Sequence, residues 1–363
     1  MAKKKQPSTS ATPEPRSSLA EVAARSGVSP ATVSRVLAGS PHPVAEETRA
    51  RVMEAASELS YTPNAIARAL ARKMTNTVGV IVGDITDSDF AQIARGVEDS
   101  ARARGYLTVV CNTDRSGAVE AAYLRMLLEH QAAGIVISGG WFPSCQEASL
   151  IAELARSATQ TTHTRIVFLS DRDIPDVPLI VFDERAVVAD LTRYLLGLGH
   201  RSIAFINGPP GLTITAFRRD GFVEAMQEAG LTAERVFEGG FGVEAGRAAA
   251  AQILRQQQLP DAIIASTDDA GLGLLTTLRQ AGVDVPRQVS VASVDDSPHA
   301  QLMDLTTVRL PQYELGSMAA QLVLFAETPL GPGRTVLAHR IVVRGSTAWS
   351  PQVIQTGTRG IGG

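Results

Sequence analysis

Leu19-Ala-Glu-Val-Ala-Ala-Arg-Ser-Gly-Val-Ser-Pro-Ala-Thr-Val-Ser-Arg-Val-Leu37 reads as two short helices around a tight turn. Val22, Ala23, Val33, Val36 and Leu37 recur at helical spacing, which gives each segment one apolar face. Ala23 is small where two helices would cross. Gly27 stands where the first helix must stop and the chain needs positive φ, a region that costs a residue without Cβ nothing. Ser29 suits the cap of the next helix and Pro30 its first position, where a missing N–H is no loss. A small residue, a glycine four positions on and a valine six after that is helix-turn-helix spacing, in which the second helix enters a DNA major groove. Any helical hairpin needs an Ala, a Gly and a Ser cap. The agreement of every offset favours the DNA-reading unit.

With 363 residues, 44% hydrophobic and 20% charged, the chain has globular composition and length for two or three domains. No apolar run approaches the roughly 20 residues of a membrane helix, and no hydrophobic leader is seen at the N-terminus, so a cytoplasmic protein is expected. Cys111 and Cys145 lie in or beside strand-like runs and read as buried free thiols of a reducing compartment. Six scattered histidines suggest no metal cage, and no cofactor is expected. The net charge of −3 hides an asymmetry. Residues 1–77 carry 11 Lys/Arg against 6 acidic residues, whereas residues 78–363 carry 23 against 31. A basic segment on an acidic body points the first part at a polyanion.

Residues 1–16 lack core-forming side chains and are expected to form a disordered tail. Residues 17–62 make a helical headpiece whose third helix runs from about Glu46 to Ser60, with Val52, Ala55, Ala56 and Leu59 on one face. Pro63 and Asn64 then start a helix of barely two turns, which is marginal alone in water and so suits a switch within a linker at 63–76. From Thr77 the rhythm becomes strand–helix alternation. Val78–Val82, Leu107–Cys111, Gly134–Ser138, Ile166–Leu169, Leu179–Phe182, Ile203–Ile206, Ala262–Ala265 and Val289–Val294 read as buried parallel strands. Helical segments are expected at 90–104, 117–130, 186–198, 217–229, 243–257 and 268–281. The pattern is α/β and doubly wound, with too many repeats for one ordinary sheet, so two similar subdomains with a ligand cleft between them are expected. Residues 351–363 read as a flexible tail with no leucine heptads.

These residues resemble the lactose/galactose repressor (LacI/GalR) family from Leu19 to Ser350. Ser29–Leu37 looks like its recognition helix, Val44–Val52 like the start of its third helix, and Tyr61-Thr-Pro-Asn64 like the lead into its hinge helix. Later landmarks are Leu198-Gly-His-Arg-Ser-Ile-Ala204, Leu305-Thr-Thr-Val-Arg309 and Arg344-Gly-Ser-Thr-Ala348. The resemblance implies a helix-turn-helix headpiece, a hinge helix, and two doubly wound α/β subdomains similar to periplasmic sugar-binding proteins. It implies an N-subdomain of about 77–182 and 310–332 and a C-subdomain of about 183–309 and 333–350. The chain would cross between them near Phe182–Asp183, Val308–Leu310 and Gly331–Arg334. The implied function is a sequence-specific repressor, a homodimer on pseudo-palindromic operator DNA, gated by a small-molecule effector such as a sugar, sugar phosphate or nucleoside-like molecule.

For base readout Arg35 stands out, because a guanidinium pairs with guanine O6 and N7 in two parallel bonds. Pro30 and Ala31 offer apolar contact, and Ser29, Thr32 and Ser34 are placed for phosphates, which fix register without specifying sequence. Asn64 joins the DNA-contacting positions, and Leu70 stands where the family carries a minor-groove leucine wedge. Around the cleft the resemblance places Asp89, Phe90, Asp171, Arg218, Phe241, Thr267, Asp269 and Asp295. Arg218 follows Gly208-Pro-Pro-Gly211 and is expected to open a helix, suiting an anionic or polyhydroxylated ligand; Asp295 ends a strand. Relatives often carry Asn where Thr267 stands and an aromatic where Asp89 stands. Enzyme readings are weaker. Gly240-Phe-Gly-Val-Glu-Ala-Gly246 has one residue too many for a dinucleotide loop, and neither a Walker loop nor a Gly-x-Ser-x-Gly elbow is present. Asp268-Asp269 and Asp295-Asp296 lack a matched nucleophile and read as ligand contacts or helix caps. The alternative is a sugar-binding protein of the same core fold without a regulatory role.

Overall fold

The structure, a computed structural model, describes residues 17–37, 43–62, 74–140, 146–161, 164–172, 174–325 and 333–350. The expectations for the two tails, for the hinge helix with Asn64 and Leu70, and for Cys145 fall outside those residues. The chain divides into two units with the boundary at Thr75/Asn76.

The first unit is built of α1 (Leu19–Ser26), α2 (Pro30–Leu37) and α3 (Glu46–Glu58). Ser18 and Glu21 form a reciprocal box at the start of α1: the Glu21 amide donates to Ser18 Oγ (3.2 Å) and the Ser18 amide to Glu21 Oε2 (2.7 Å). Gly27 ends α1 in the left-handed region at φ 68°, as the sequence demands. The Thr32 amide donates to Ser29 Oγ (3.2 Å), which starts α2. Val22, Val33 and Val52 are fully buried at the meeting point of the three helices.

The second unit holds two six-stranded sheets. In chain order its elements are β1 (Thr77–Val82), α4 (Ser88–Arg102), β2 (Leu107–Asn112), α5 (Gly117–Glu129), β3 (Gly134–Ser138), α6 (Glu147–Thr161), β4 (Arg165–Phe168) and β5 (Leu179–Phe182). There follow α7 (Glu184–Gly197), β6 (Ile203–Ile206), α8 (Thr213–Glu228), β7 (Val236–Phe237), α9 (Val243–Ile253), β8 (Ala262–Ala265) and α10 (Asp268–Gln280). The last are β9 (Ser290–Asp295), α11 (Pro298–Leu302), β10 (Thr306–Arg309), α12 (Gln312–Phe325), β11 (Arg334–Leu337) and β12 (Arg340–Val342). The first sheet has the order β11-β5-β4-β3-β1-β2 and the second β12-β10-β9-β8-β6-β7. Every pairing is parallel except β10–β12. The two doubly wound lobes of the sequence reading are therefore present.

The chain passes from the first sheet to the second after Phe182 and returns to the first lobe between β10 and α12. The third crossing is displaced. Leu179–Phe182 pairs with Arg334–Leu337, so residues 334–337 belong to the first lobe and the chain changes lobe at Ala338–His339, not at Gly331–Arg334. The short polar β11 carries no apolar run from which its sheet could be read. Helix α12, from the C-terminal third of the chain, is drawn onto α4 by glycines. A Cβ on Gly96 would lie 2.1 Å from the Tyr313 carbonyl oxygen and one on Gly316 2.1 Å from that of Ile93. The same device recurs in the second lobe, where Gly246 and Gly273 bring α9 and α10 together.

Two further expectations need correction. Leu107–Cys111 is an edge strand rather than a buried one, with Leu107 65% exposed. Helix α8 begins at Thr213, four residues earlier than the periodicity suggested, because Thr-Ile-Thr at its start are poor helix formers that the tertiary fold overrides. Arg218 thus stands in the second turn, not at the opening of the helix.

Candidate functional site

On α2, Val33 and Val36 point inward, leaving Ser29, Pro30, Ala31, Ser34 and Arg35 exposed and Thr32 half-buried. Ser29, Pro30 and Ala31 stand at the start of the helix and Arg35 in its last turn. Ser29 Oγ and Thr32 Oγ1 hydrogen-bond each other (3.0 Å), so these hydroxyls are held together. Among the described residues no carboxylate pairs with Arg35, whereas Arg25 is tied to Glu58 at 2.7 Å.

In the second unit a pocket opens at the carboxyl ends of the strands of both sheets, between the lobes, where a doubly wound fold leaves a crevice. All eight residues placed there from sequence line it: Asp89, Phe90 and Asp171 from the first lobe, and Arg218, Phe241, Thr267, Asp269 and Asp295 from the second. The sequence reading missed Asp87, Arg115, Glu184, Phe217 and Gln312, which also line it. Glu184 was signalled by its place directly after the Leu179–Phe182 strand; Gln312 carried no local signal, because only the crossing after β10 brings it here.

Arg218 is buried and engaged from several sides. Its Nε donates to Glu184 Oε2 (2.7 Å), an Nη donates to the Ser266 carbonyl, and Nη2 stands 4.0 Å from Asp295 Oδ1. Burial opposes its charge, but Glu184 and then Asp295 outweigh that and hold the guanidinium protonated. Thr267 Oγ1 donates to the Phe241 carbonyl and accepts from the Ala270 amide (3.2 Å), so this hydroxyl caps α10. Asp268 is knit into the second lobe by Thr307 Oγ1 (2.7 Å) and the Ser297 amide (2.6 Å). It organises strand ends, and the helix cap beside it is Thr267 rather than either paired carboxylate. Asp296 likewise anchors Arg309 and Arg344. Asp295 has φ 125°, a conformation that costs a non-glycine residue about 1–3 kcal/mol and that clusters at functional sites. In the first lobe, Arg115 pairs with Asp87 and faces the Phe241 ring from across the cleft, 5.8 Å from its centroid. Behind the pocket, Arg172 is fully buried against Glu120 (Nη2 to Oε2 3.0 Å), and its Nε donates to Ser170 Oγ (2.9 Å).

The electrostatics of the pocket are set by buried carboxyls. Gln312 donates to Asp89 Oδ2 (3.2 Å), and the Asp268 amide to Asp295 Oδ2 (3.4 Å). The Oδ1 atoms of Asp89 and Asp295 are sealed from solvent without a donor among the described residues, and each carboxyl influences the proton affinity of the other. Burial pushes Asp89 up to about 6 and Asp295 well above the usual carboxylate range. For Asp295 the neighbouring Asp89 charge adds to the rise. Among the described residues no group of His, Cys, Asp and Glu is arranged to hold a metal ion, and no helix is long and apolar enough to cross a membrane.

Comparison with known proteins matches residues 18–64 to the family of bacterial regulatory proteins of the lacI type and residues 192–347 to a periplasmic binding protein-like domain. Catabolite control protein A of Priestia megaterium is 31% identical over 334 residues, covering 90% of this chain and 98% of that protein. The transcriptional repressor CytR of Escherichia coli K12 is 30% identical over 346 residues, covering 93% and 98%. This chain belongs to the lacI family. The lac repressor dimer solved with operator and an anti-inducer superposes with a TM-score of 0.80 at 25% identity, covering 92% of this chain and 99% of that one. The regulator CelR solved with cellobiose does so at 0.65 and 29%, covering 91% and 100%. As a lacI-family member the chain is a DNA-binding transcriptional repressor with an effector-binding domain. That supports the regulatory reading and not the sugar-binding protein without a regulatory role.

Proposed function

We propose that the pocket between the lobes is the effector site, and that a small polar molecule contacting both lobes there sets the affinity of the headpiece for operator DNA. The single observation that carries this reading is the convergence of all eight expected residues, from both lobes, on one pocket at the strand ends. A ligand that touches both lobes favours one lobe arrangement by its differential contacts, and that bias is what an allosteric effector needs. Phe241 supplies a flat apolar face, while Ser170, Gln312 and the aspartates supply polar partners; Arg218, held by Glu184 and Ser266, braces the site. The pocket binds without transforming its ligand.

The protein acts as a homodimer, each headpiece reading one half-site with Arg35 on a base and Ser29, Thr32 and Ser34 on phosphates, with Pro30 and Ala31 in apolar contact. The exposed apolar edge of β2 (Leu107, Val109, Val110) and Leu302, 81% exposed, are surfaces that a second copy would cover. Support comes from the solved lac repressor, which is a dimer on operator.

Thermal-shift screening of sugars, sugar phosphates and nucleosides yields a ligand, and calorimetry with and without operator then measures the coupling. The expected coupling is about 1–3 kcal/mol, and operator must alter ligand affinity by the same factor as ligand alters operator affinity. Phe241→Ala should abolish ligand binding. A ligand whose affinity ignores both operator and this substitution overturns the assignment.

A further inference from the structure

Seven carboxyls line the pocket against two guanidiniums, and both guanidiniums are already neutralised within it. Arg218 is held by Glu184, and Arg115 by Asp87 with Asp84 3.6 Å away. Asp171 and Asp269 have partners outside the pocket, Arg334 at 2.7 Å and His299 at 3.4 Å, and Asp268 is consumed by its own lobe. The groups with hydrogen-bonding capacity left over are Asp89 and Asp295, one from each lobe; Asp295 shares the Arg218 guanidinium with Glu184, Nη2 standing 4.0 Å from its Oδ1. Asp295 lines the pocket and is only 7% exposed, and its buried Oδ1 has no hydrogen-bond donor among the described residues. Two buried carboxylates in one pocket, with only a guanidinium that Glu184 already neutralises beside them, cannot both stay ionised, so they hold a proton or take up a cation.

We propose that the effector is a cationic polyol, of amino-sugar or aminocyclitol type, whose ammonium group seats between Asp89 and Asp295. The assignment rests on the reading of this pocket as the effector site. An ammonium offers three donors, enough to serve both orphaned oxygens, whereas a phosphate would meet carboxylates with no free guanidinium. A neutral sugar leaves the pair holding its proton. On binding the cation, one positive charge enters the pair and one proton leaves to bulk solvent, so the charge of the site is unchanged. The groups facing the pair are Glu184 on α7, Arg218 on α8, Asp268 on α10 and the uncharged Gln312 on α12, with Asp87, the residue before α4, lining the same pocket. None of them supplies an uncommitted positive charge. Since burial raises both carboxyls, the pair still carries a proton to release near neutral pH.

The test uses matched probes on the full chain: glucosamine against glucose and glucose 6-phosphate, and the Tris cation against its neutral isostere pentaerythritol, in amine-free buffer near neutral pH. In each pair the ammonium compound should bind at least about tenfold more tightly, a difference of 1.4 kcal/mol. Calorimetry in two buffers of different ionisation enthalpy should show proton release with the cations and none with the neutral probes. Asp89→Asn, which keeps shape and removes one acid, should erase both the preference and the proton release. If a neutral or phosphorylated probe binds at least as well as its ammonium partner, or if no ammonium probe binds, the cation assignment falls. Should Phe241→Ala abolish that competing probe's binding, the effector pocket itself stands. Indifference of every bound probe to Phe241→Ala overturns both readings.

Discussion

Replacing Asp89 with asparagine should make the core more stable at neutral pH and leave it nearly unchanged in acid. The Asp89 carboxyl moves from its ordinary 3.8 to about 6 because burial disfavours its charge. A folded value above the unfolded one means that the fold favours the protonated acid. Its contribution to stability is fully present below the unfolded value and is lost as pH rises through about 6. A shift of roughly two units at 1.36 kcal/mol each corresponds to about 3 kcal/mol across that window. An amide cannot ionise, so the variant escapes the loss. Asp87 and Asp268, whose rise does not depend on Asp89, largely cancel in the comparison, while Asp295, raised in part by the Asp89 charge, relaxes in the variant and shifts the difference in the same direction. Urea unfolding of the parent and of Asp89→Asn at about pH 4 and about pH 8, with m-values compared to confirm the same transition, measures the difference at each end. The variant should gain about 2–3 kcal/mol on the parent between the two conditions. A difference that stays constant with pH, or that favours the parent at the alkaline end, would refute the buried-acid account of the pocket.

Arg35→Ala should weaken operator binding by about 1–3 kcal/mol and relax preference at one base pair per half-site; a gel-shift series over mutated half-sites reads this, and an unchanged preference removes Arg35 from base readout. Gly96→Ala drives a Cβ to within 2.1 Å of the Tyr313 carbonyl oxygen. It should cost the core at least about 1–3 kcal/mol in urea unfolding, and no loss would mean that α4 and α12 slide apart freely. Glu120→Ala strands the buried Arg172 guanidinium and should cost about 3–5 kcal/mol, an effect that Glu120→Ala combined with Arg172→Met should largely reverse.

The headpiece was legible because its determinants are local. A capping serine, a proline at the first helical position and a glycine at φ 68° act within a few residues of where they stand. Ser18 and Glu21 obey the same rule, and their box could have been read from their spacing. Most strands of the two sheets announced themselves as apolar runs, since strands covered by helices on both faces need apolar residues throughout. The exception is instructive. Leu107, Val109 and Val110 read as buried from hydrophobicity alone, yet strand order puts them at an open edge. Residues 334–337 failed in the opposite sense, being too short and polar to reveal which lobe they join.

By itself, then, the sequence determined the helix-turn-helix, the two doubly wound lobes and, through its resemblance to a known family, the eight residues around the cleft. Tertiary structure decided what those residues do to one another. Arg218 read as a contact for an anionic or polyhydroxylated ligand, but Glu184 and the Ser266 carbonyl occupy it. Asp89 and Asp295 stand 206 positions apart in the chain and meet across the cleft. Asp268 and Thr267, two candidate ligand contacts by position, spend their polar atoms on strand ends and a helix cap. Local sequence dictates backbone conformation because its forces act over a turn or a strand. Charge pairing, burial and the resulting proton affinities depend on distances that only the folded chain sets, and those distances separate a basic anion site from an acidic one.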